Sequence, residues 1–204
     1  MARLKSDGIA KAETVEPIKN IKDIKKIKQY LLGKTNKRDY MLFVVGINVG
    51  LRVGDLLQLK ISDIMHIDKT FKDKITINEE KTNKVRTFKL NNSAKESITL
   101  YLSNIEYNLN DYLFSSRKGN EPLRVDSTHK IIKSMMRELG IKGNYGTHTL
   151  RKTWAYHTYI NNSSNPMILP MLQKMLNHSS QAVTLRYIGI EQEEINDLYD
   201  GLNL

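Results

Sequence analysis

His148 and Arg151 lie three residues apart in the stretch Thr147-His148-Thr149-Leu150-Arg151-Lys152-Thr153-Trp154. On a helix that spacing places an imidazole and a guanidinium on one face, within reach of the same small anion. Alone the pair is an unspecific phosphate grip, because His-x-x-Arg arises by chance in many helices. Phosphoryl chemistry asks for more: a second arginine, a general acid and a nucleophile. The chain holds candidates for each, in order. Arg52 follows Gly50-Leu51, Lys81 opens the basic stretch Lys81-Thr82-Asn83-Lys84, His178 begins a Ser-rich turn, and Tyr187 follows nine residues later.

The balance of charge suits such a site. The 204 residues hold 32 Lys and Arg against 22 Asp and Glu, a formal net charge of +10. A basic protein of this size favours a polyanionic partner, nucleic acid first. The charge is uneven: residues 1–187 carry all 32 basic residues against 17 acidic ones, while residues 188–204 carry five acids and no Lys or Arg. An acidic tail on a basic body points to docking on protein rather than on nucleic acid. There is no cysteine, so no disulfide and no thiolate metal site. The apolar run Tyr40–Val49 is too short to span a bilayer. These features predict a nucleic-acid-associated protein with no membrane partner, and fit a reducing cytoplasm.

Apolar spacing predicts the elements that position these residues. Residues 1–18 read as a flexible arm. Ile21, Ile24, Lys28 and Leu31 mark a helix ended by Gly33. Thr35 or Asn36 caps a second helix through Tyr40–Val49, apolar all round and so buried. Gly50 ends it, Arg52 lies at the junction, and Asp55 begins a third helix. Ile64–Ile67, Lys74–Asn78 and Val85–Leu90 read as three short antiparallel strands, the last two joined by the turn at Lys81–Lys84. Ser93 to Glu96 matches a capping box, and residues 106–125 are loop-rich. Asp126 or Ser127 opens a helix stopped by Gly140, and Thr147 caps the helix of His148 and Arg151. Pro166 and Pro170 bracket the start of another, with Met171, Leu172, Met175 and Leu176 as its apolar side. Ile195, Leu198, Tyr199 and Leu202 mark an amphipathic tail helix. The expected architecture is one mixed α/β domain, predominantly helical, with a small three-stranded antiparallel sheet.

Four segments together, GLRVGDLLQL at 50–59, EKTNKVRTFKL at 80–90, THTLRKTWA at 147–155 and LNHSSQAVTLRYIGI at 176–190, resemble the tyrosine recombinases, the phage-integrase-type site-specific recombinases. The resemblance covers roughly residues 20–190, with 19–190 as the catalytic domain and 191–204 as a docking helix. It implies that Arg52 and Arg151 bind the non-bridging oxygens of the scissile phosphate. It makes Tyr187 the nucleophile that forms a 3′-phosphotyrosyl link, and Lys81 the acid that protonates the leaving 5′-oxygen. His148 then acts in proton transfer, His178 donates a hydrogen bond to the phosphate, and Asp55 supports the site. It also implies a DNA-associated cytoplasmic protein with duplex DNA and no small molecule as substrate, a tetramer on DNA, and no metal, ATP or other cofactor. The chain departs from the family pattern in Thr-Phe-Lys-Leu, where a proline is common before the leucine. Asn177 stands where glycine is usual, and Lys152 where histidine is frequent. Relatives carry an N-terminal DNA-clamping domain, and here about twenty residues precede the matching region.

The residue types fit that chemistry. Guanidinium forks match a phosphoryl group that presents negative charge and stay charged at any relevant pH. A phenol of pKa near 10 needs a base or a positive field to attack at neutral pH. The leaving alkoxide is more basic still and needs an acid. Lys84 rivals Lys81 for that role, Tyr199 rivals Tyr187, and Arg52 has a structural alternative as a partner of Asp55. A DNA-binding protein without catalysis and a type IB topoisomerase-like relaxing enzyme are the alternative functions.

Overall fold

A computed structural model describes residues 14–117, 119 and 121–190. Its centre is α2 (Lys37–Val49), whose N-terminus is capped by the Asn36 side chain accepting from Arg38 N at 3.2 Å. Met41, Leu42, Phe43, Val44 and Val45 are all buried, as an all-round apolar helix requires. One side of α2 joins a core made with α3 (Val53–Leu57), α4 (Ile61–Ile64), α5 (Asn92–Leu102) and Ile75 of β1 (Ile75–Asn78). The other side sends Phe43 and Val44 into a second core with α1 (Ile21–Gly33), α6 (Val125–Glu138) and Leu150 of α7 (Thr147–Asn161). Each fully buried aliphatic side chain of this kind contributes about 1.5–3 kcal/mol.

Helix α7 approaches α2 closely. A Cβ on Gly46 would lie 2.7 Å from the Leu150 side chain. Gly50 ends α2 in the left-handed region at φ 63°, and a Cβ there would sit 2.2 Å from the Trp154 indole. Both conditions call for glycine. On its far side α7 meets α8 (Ile168–Leu176) and α9 (Gln181–Ile188) in a small core of Ala155, Leu176 and Ile188, against which Trp154 and Tyr187 pack. The architecture is thus predominantly helical with a small antiparallel sheet. No helix among the described residues is long and apolar enough to cross a membrane.

The sheet has two strands rather than the expected three. β1 pairs antiparallel with β2 (Val85–Phe88), Ile75 opposite Phe88 and Asn78 opposite Val85. The segment read as the strand Ile64–Ile67 is claimed first by α4, whose start is fixed by Lys60 N donating to Asp63 Oδ2 at 2.7 Å. Only Met65 then bridges to Phe71, across a turn in which Asp68 accepts from Thr70 and Lys69 adopts φ 65°. A turn that tight leaves one bridge and no room for a ladder.

Several caps shift by a few residues. Asn91, not Ser93, caps α5 by accepting from Ala94 N at 3.0 Å. Gly146 precedes α7, so Thr147 is its first helical residue. Residues 14–18 belong to the expected arm, yet their end is packed. Ile18 is 1% exposed, its N–H donates to Thr153 Oγ1 at 2.9 Å, and His157 Nε2 meets its carbonyl at 2.9 Å. The expected docking helix at 191–204 lies outside the described residues, as does Tyr199.

Candidate active site

Arg52 sits at the junction between α2 and α3, held where Gly50 turns the chain under Trp154. Its Nη1 donates to Glu79 Oε2 at 2.6 Å, so its carboxylate partner is Glu79 rather than Asp55. The same Glu79 oxygen accepts from Thr82 Oγ1 at 2.8 Å, and Oε1 meets Arg86 Nη1 at 3.4 Å. Burial raises the Glu79 carboxyl, but Thr82, Arg52 and Arg86 outweigh it and hold the group below the usual carboxylate range. Glu79 is therefore an anion shared between two arginines.

Asp55 does a different job. It is buried, and its Oδ1 accepts from Glu80 N at 2.8 Å. That bond anchors the root of the β1–β2 turn, in which Lys81 is exposed. The turn closes with Asn83 in the left-handed region and its N–H donating to Glu79 O at 2.8 Å. Lys84, the rival for the acid role, donates to Asn177 Oδ1 at 2.7 Å and so ties the hairpin to the end of α8. Lys81 instead lies close enough to His148 to disfavour its charged form.

Helix α7 supplies His148 in its first turn and Arg151 one turn on. Arg151 is 4% exposed, and burial pulls its guanidinium down to about 10, still charged at neutral pH. Its Nη2 donates to Leu176 O at 3.3 Å, while Nη1 is buried with no hydrogen-bond partner of normal geometry among the described residues. A buried, charged, unpaired donor is costly, and it is expected where a ligand supplies the acceptor. His148 is lowered by burial of part of its ring, then by Arg151, Lys152, Lys81 and Arg52, so it is neutral at pH 7.

The turn between α8 and α9 places the remaining pair. Asn177 ends α8 at φ 59°, a left-handed position where glycine or asparagine is favoured, which accounts for the departure at this residue. His178 follows, lowered by burial and then by Arg151 and Arg52. Its Nδ1 lies 3.1 Å from Thr184 Oγ1, and that hydroxyl donates to Ser180 O at 3.2 Å. The hydroxyl has one proton for two acceptors: with it on Ser180 O, Thr184 accepts from His178 and the neutral ring is the Nδ1–H tautomer. In the neutral ring Nε2 is then an acceptor, and it donates only after gaining a proton.

Tyr187, in the last turn of α9, packs its ring edge-on to His178 with centroids 4.8 Å apart. Lys152 Nζ lies 5.0 Å from its ring centroid. Burial raises the phenol, while Arg151 beside it and then Arg52 favour the phenolate without overcoming burial. Arg52, Arg151, His178 and Tyr187 thus share one electrostatic neighbourhood, with His148 and Lys81 at its edge. Sequence reasoning assigns no role to three further members: Glu79, Arg86 and Thr184. Their only signal in the chain is a carboxylate and an arginine flanking the basic turn, and a threonine four residues after a helix-capping serine.

Both the sequence and the fold have known relatives. Residues 18–194 match the sequence profile of the phage integrase family. A probable integrase/recombinase, YoeC of Bacillus subtilis (strain 168), is 38% identical over 185 residues, covering 91% of this chain and 95% of that protein. The crystal structure of XerA recombinase has the same fold, with a TM-score of 0.70 at 22% identity over 93% of this chain and 65% of that one. XerH site-specific recombinase, in a post-cleavage complex with a palindromic difH substrate, gives a TM-score of 0.68 at 21% identity. It is covered over 51% of its length and this chain over 88%. The chain therefore belongs to the phage integrase family, the tyrosine recombinases.

Proposed function

We propose that this chain is a site-specific recombinase that cuts and rejoins duplex DNA through a covalent link on Tyr187. The observation that carries the reading is the buried Nη1 of Arg151, without a hydrogen-bond partner among the described residues, beside the Tyr187 phenol, with Arg52 in the same field. A scissile phosphate fills that gap with a non-bridging oxygen, and Arg52 takes the other. Tyr187 Oη then bonds to phosphorus as the bond to the 5′-oxygen breaks. Neutral His148 receives the phenolic proton, and Lys81 gives a proton to the leaving 5′-oxygen. The 3′-phosphotyrosyl bond keeps the energy of the phosphodiester, so a new 5′-hydroxyl rejoins the strand by the reverse route.

The DNA complex of XerH supports duplex DNA as the partner, and the net charge of +10 supplies the long-range attraction. Exchange between two duplexes takes several active sites, so the working form is a tetramer on DNA in the cytoplasm. Residues 191–204 dock on this body or on a neighbouring copy. Deleting them is expected to weaken assembly, and unchanged synapsis would sink that part.

The test of catalysis uses nicked duplexes tiled across the DNA flanking the chain's own gene. Wild type is expected to form a denaturant-stable protein–DNA adduct with at least one, and Tyr187→Phe with none. Binding without any adduct would favour a non-catalytic DNA-binding protein. Relaxation of plasmid without site preference would favour a topoisomerase-like enzyme.

A further inference from the structure

Arg86 is absent from the set of residues that touch phosphate in the mechanism above, yet its guanidinium bridges more of the site than any of them. Its side chain is 11% exposed. Nη2 donates to Gly50 O at 3.1 Å, and Nη1 donates to Met175 O at 3.0 Å and meets Glu79 Oε1 at 3.4 Å. The guanidinium carbon lies 5.9 Å from the centroid of the Trp154 ring.

Each of these contacts falls on a segment that carries a site residue. Gly50 is two residues before Arg52. Glu79 is the partner of Arg52 and lies two residues before Lys81. Met175 adjoins Leu176, whose carbonyl accepts from Arg151, and leads into His178. Trp154 is one turn beyond Arg151 on α7. These segments are distant in sequence, and the one guanidinium reaches all four.

We propose that Arg86 is a positioning residue. It clamps the segments of Arg52, Lys81, Arg151 and His178 into one unit and shares the Glu79 carboxylate with Arg52, which leaves Arg52 able to turn toward phosphate. The geometry needs a planar fork: one cation serves two carbonyls and a carboxylate while lying near an indole, which a lysine's single nitrogen does not do. Without Arg86 the whole Glu79 charge falls to Arg52, and the carbonyls of Gly50 and Met175 lose their donor. Arg52 is then drawn toward Glu79 and away from the phosphate.

This inference rests on the recombinase reading. Its test compares single-turnover cleavage by wild type, Arg86→Met and Arg86→Lys on the nicked duplex that traps wild type. A second duplex carries a methylphosphonate at the scissile position, which removes a negative charge and so the demand on Arg52. Both variants are expected to cleave the phosphate duplex about 100-fold more slowly, the cost of misplacing a reacting group by roughly an ångström. Their DNA affinity is expected to stay within about threefold, because many phosphate contacts share the binding. On the methylphosphonate duplex the deficit is expected to shrink at least about tenfold, as the charge that Arg52 answers is gone. Should Arg86→Met not fold, Arg86→Lys, whose single nitrogen cannot serve Glu79 and both carbonyls together, carries the comparison. Wild-type rates in the folded variants would overturn the proposal, and so would equal deficits on the two duplexes, since loss of folded protein slows both alike. Failure of wild type to trap either duplex would instead overturn the recombinase reading, and this inference with it.

Discussion

Arg52 and Glu79 are joined by a 2.6 Å ion pair in which the carboxylate is almost wholly buried, at 7% side-chain exposure, and the guanidinium keeps 21%. The pair holds the arginine proposed to bind phosphate against an internal anion. Glu79→Ala leaves Arg52 and Arg86 facing each other without the carboxylate they share, and only Asp55 still offsets Arg86. The expected loss is about 2–3 kcal/mol, toward the lower end for a broken buried pair because Arg52 retains solvent contact. A DNA phosphate replaces the missing anion, so DNA is expected to raise the melting temperature of Glu79→Ala more than that of wild type. Equal shifts in a titration of both proteins would show that Glu79 and phosphate do not compete for Arg52.

The two lysines of the hairpin are separable by what they touch. Lys84 bonds to Asn177 across an exposed contact, so Lys84→Met is expected to cost under about 1 kcal/mol and to leave cleavage measurable. Lys81→Met removes the proposed acid and is expected to slow cleavage by about 10²- to 10⁴-fold. A 5′-thio leaving group needs no proton, so a phosphorothiolate duplex should restore the Lys81→Met rate. If it restores Lys84→Met instead, the acid has been assigned to the wrong lysine.

What is readable in the chain, and what is not, follows from the range of each interaction. His148 with Arg151, and His178 with Tyr187, are encoded within single local stretches, where helical spacing and motif order expose them. The buried α2 is legible for the same reason, as an unbroken apolar run. Glu79 and Arg86 act across 27 and 89 residues, on Arg52 and Met175 respectively, and periodicity is blind to contacts of that separation. The third strand fails locally: the Lys60–Asp63 cap and the Asp68 turn compete for the residues that alternation assigns to a ladder. The end of the expected arm fails for the opposite reason, since a polar stretch without periodicity gives no sign that Ile18 is anchored to Thr153 and His157.

Gly50 offers a test of how α2 and α7 are held together. Its positive φ and an indole 2.2 Å from where a Cβ would stand act at one position. Gly50→Ala therefore carries both a left-handed backbone penalty of about 1 kcal/mol or more and an overpacking penalty of about 1–3 kcal/mol. Denaturant unfolding is expected to show a loss near the sum. In a Trp154→Ala background the overpacking part should vanish, leaving only the backbone cost. Full additivity of the two substitutions would mean that the indole does not set the close approach.

Protonation separates stability from binding. The His148 and His178 imidazoles are both lowered by burial and neighbouring cations, so the unfolded chain binds protons more readily than the native one. Stability tied to these groups is complete above the ordinary histidine pKa of about 6.5 and is lost as pH falls from there through the lowered native values. The melting temperature of the protein alone is expected to drop on acidification below that point, and less steeply in His148→Gln and His178→Gln. DNA affinity should run the other way. With the Thr184 hydroxyl proton on Ser180 O and the Nδ1 proton of His178 on Thr184, this ring donates to a phosphate from Nε2 only as the imidazolium, and binding then draws in a proton. Calorimetric titration in buffers of different ionisation enthalpy is expected to reveal net proton uptake near pH 7 that disappears in His178→Gln. Binding of DNA with no proton uptake by wild type would show that His178 stays neutral in the complex, donating from Nε2 as the other tautomer or not at all.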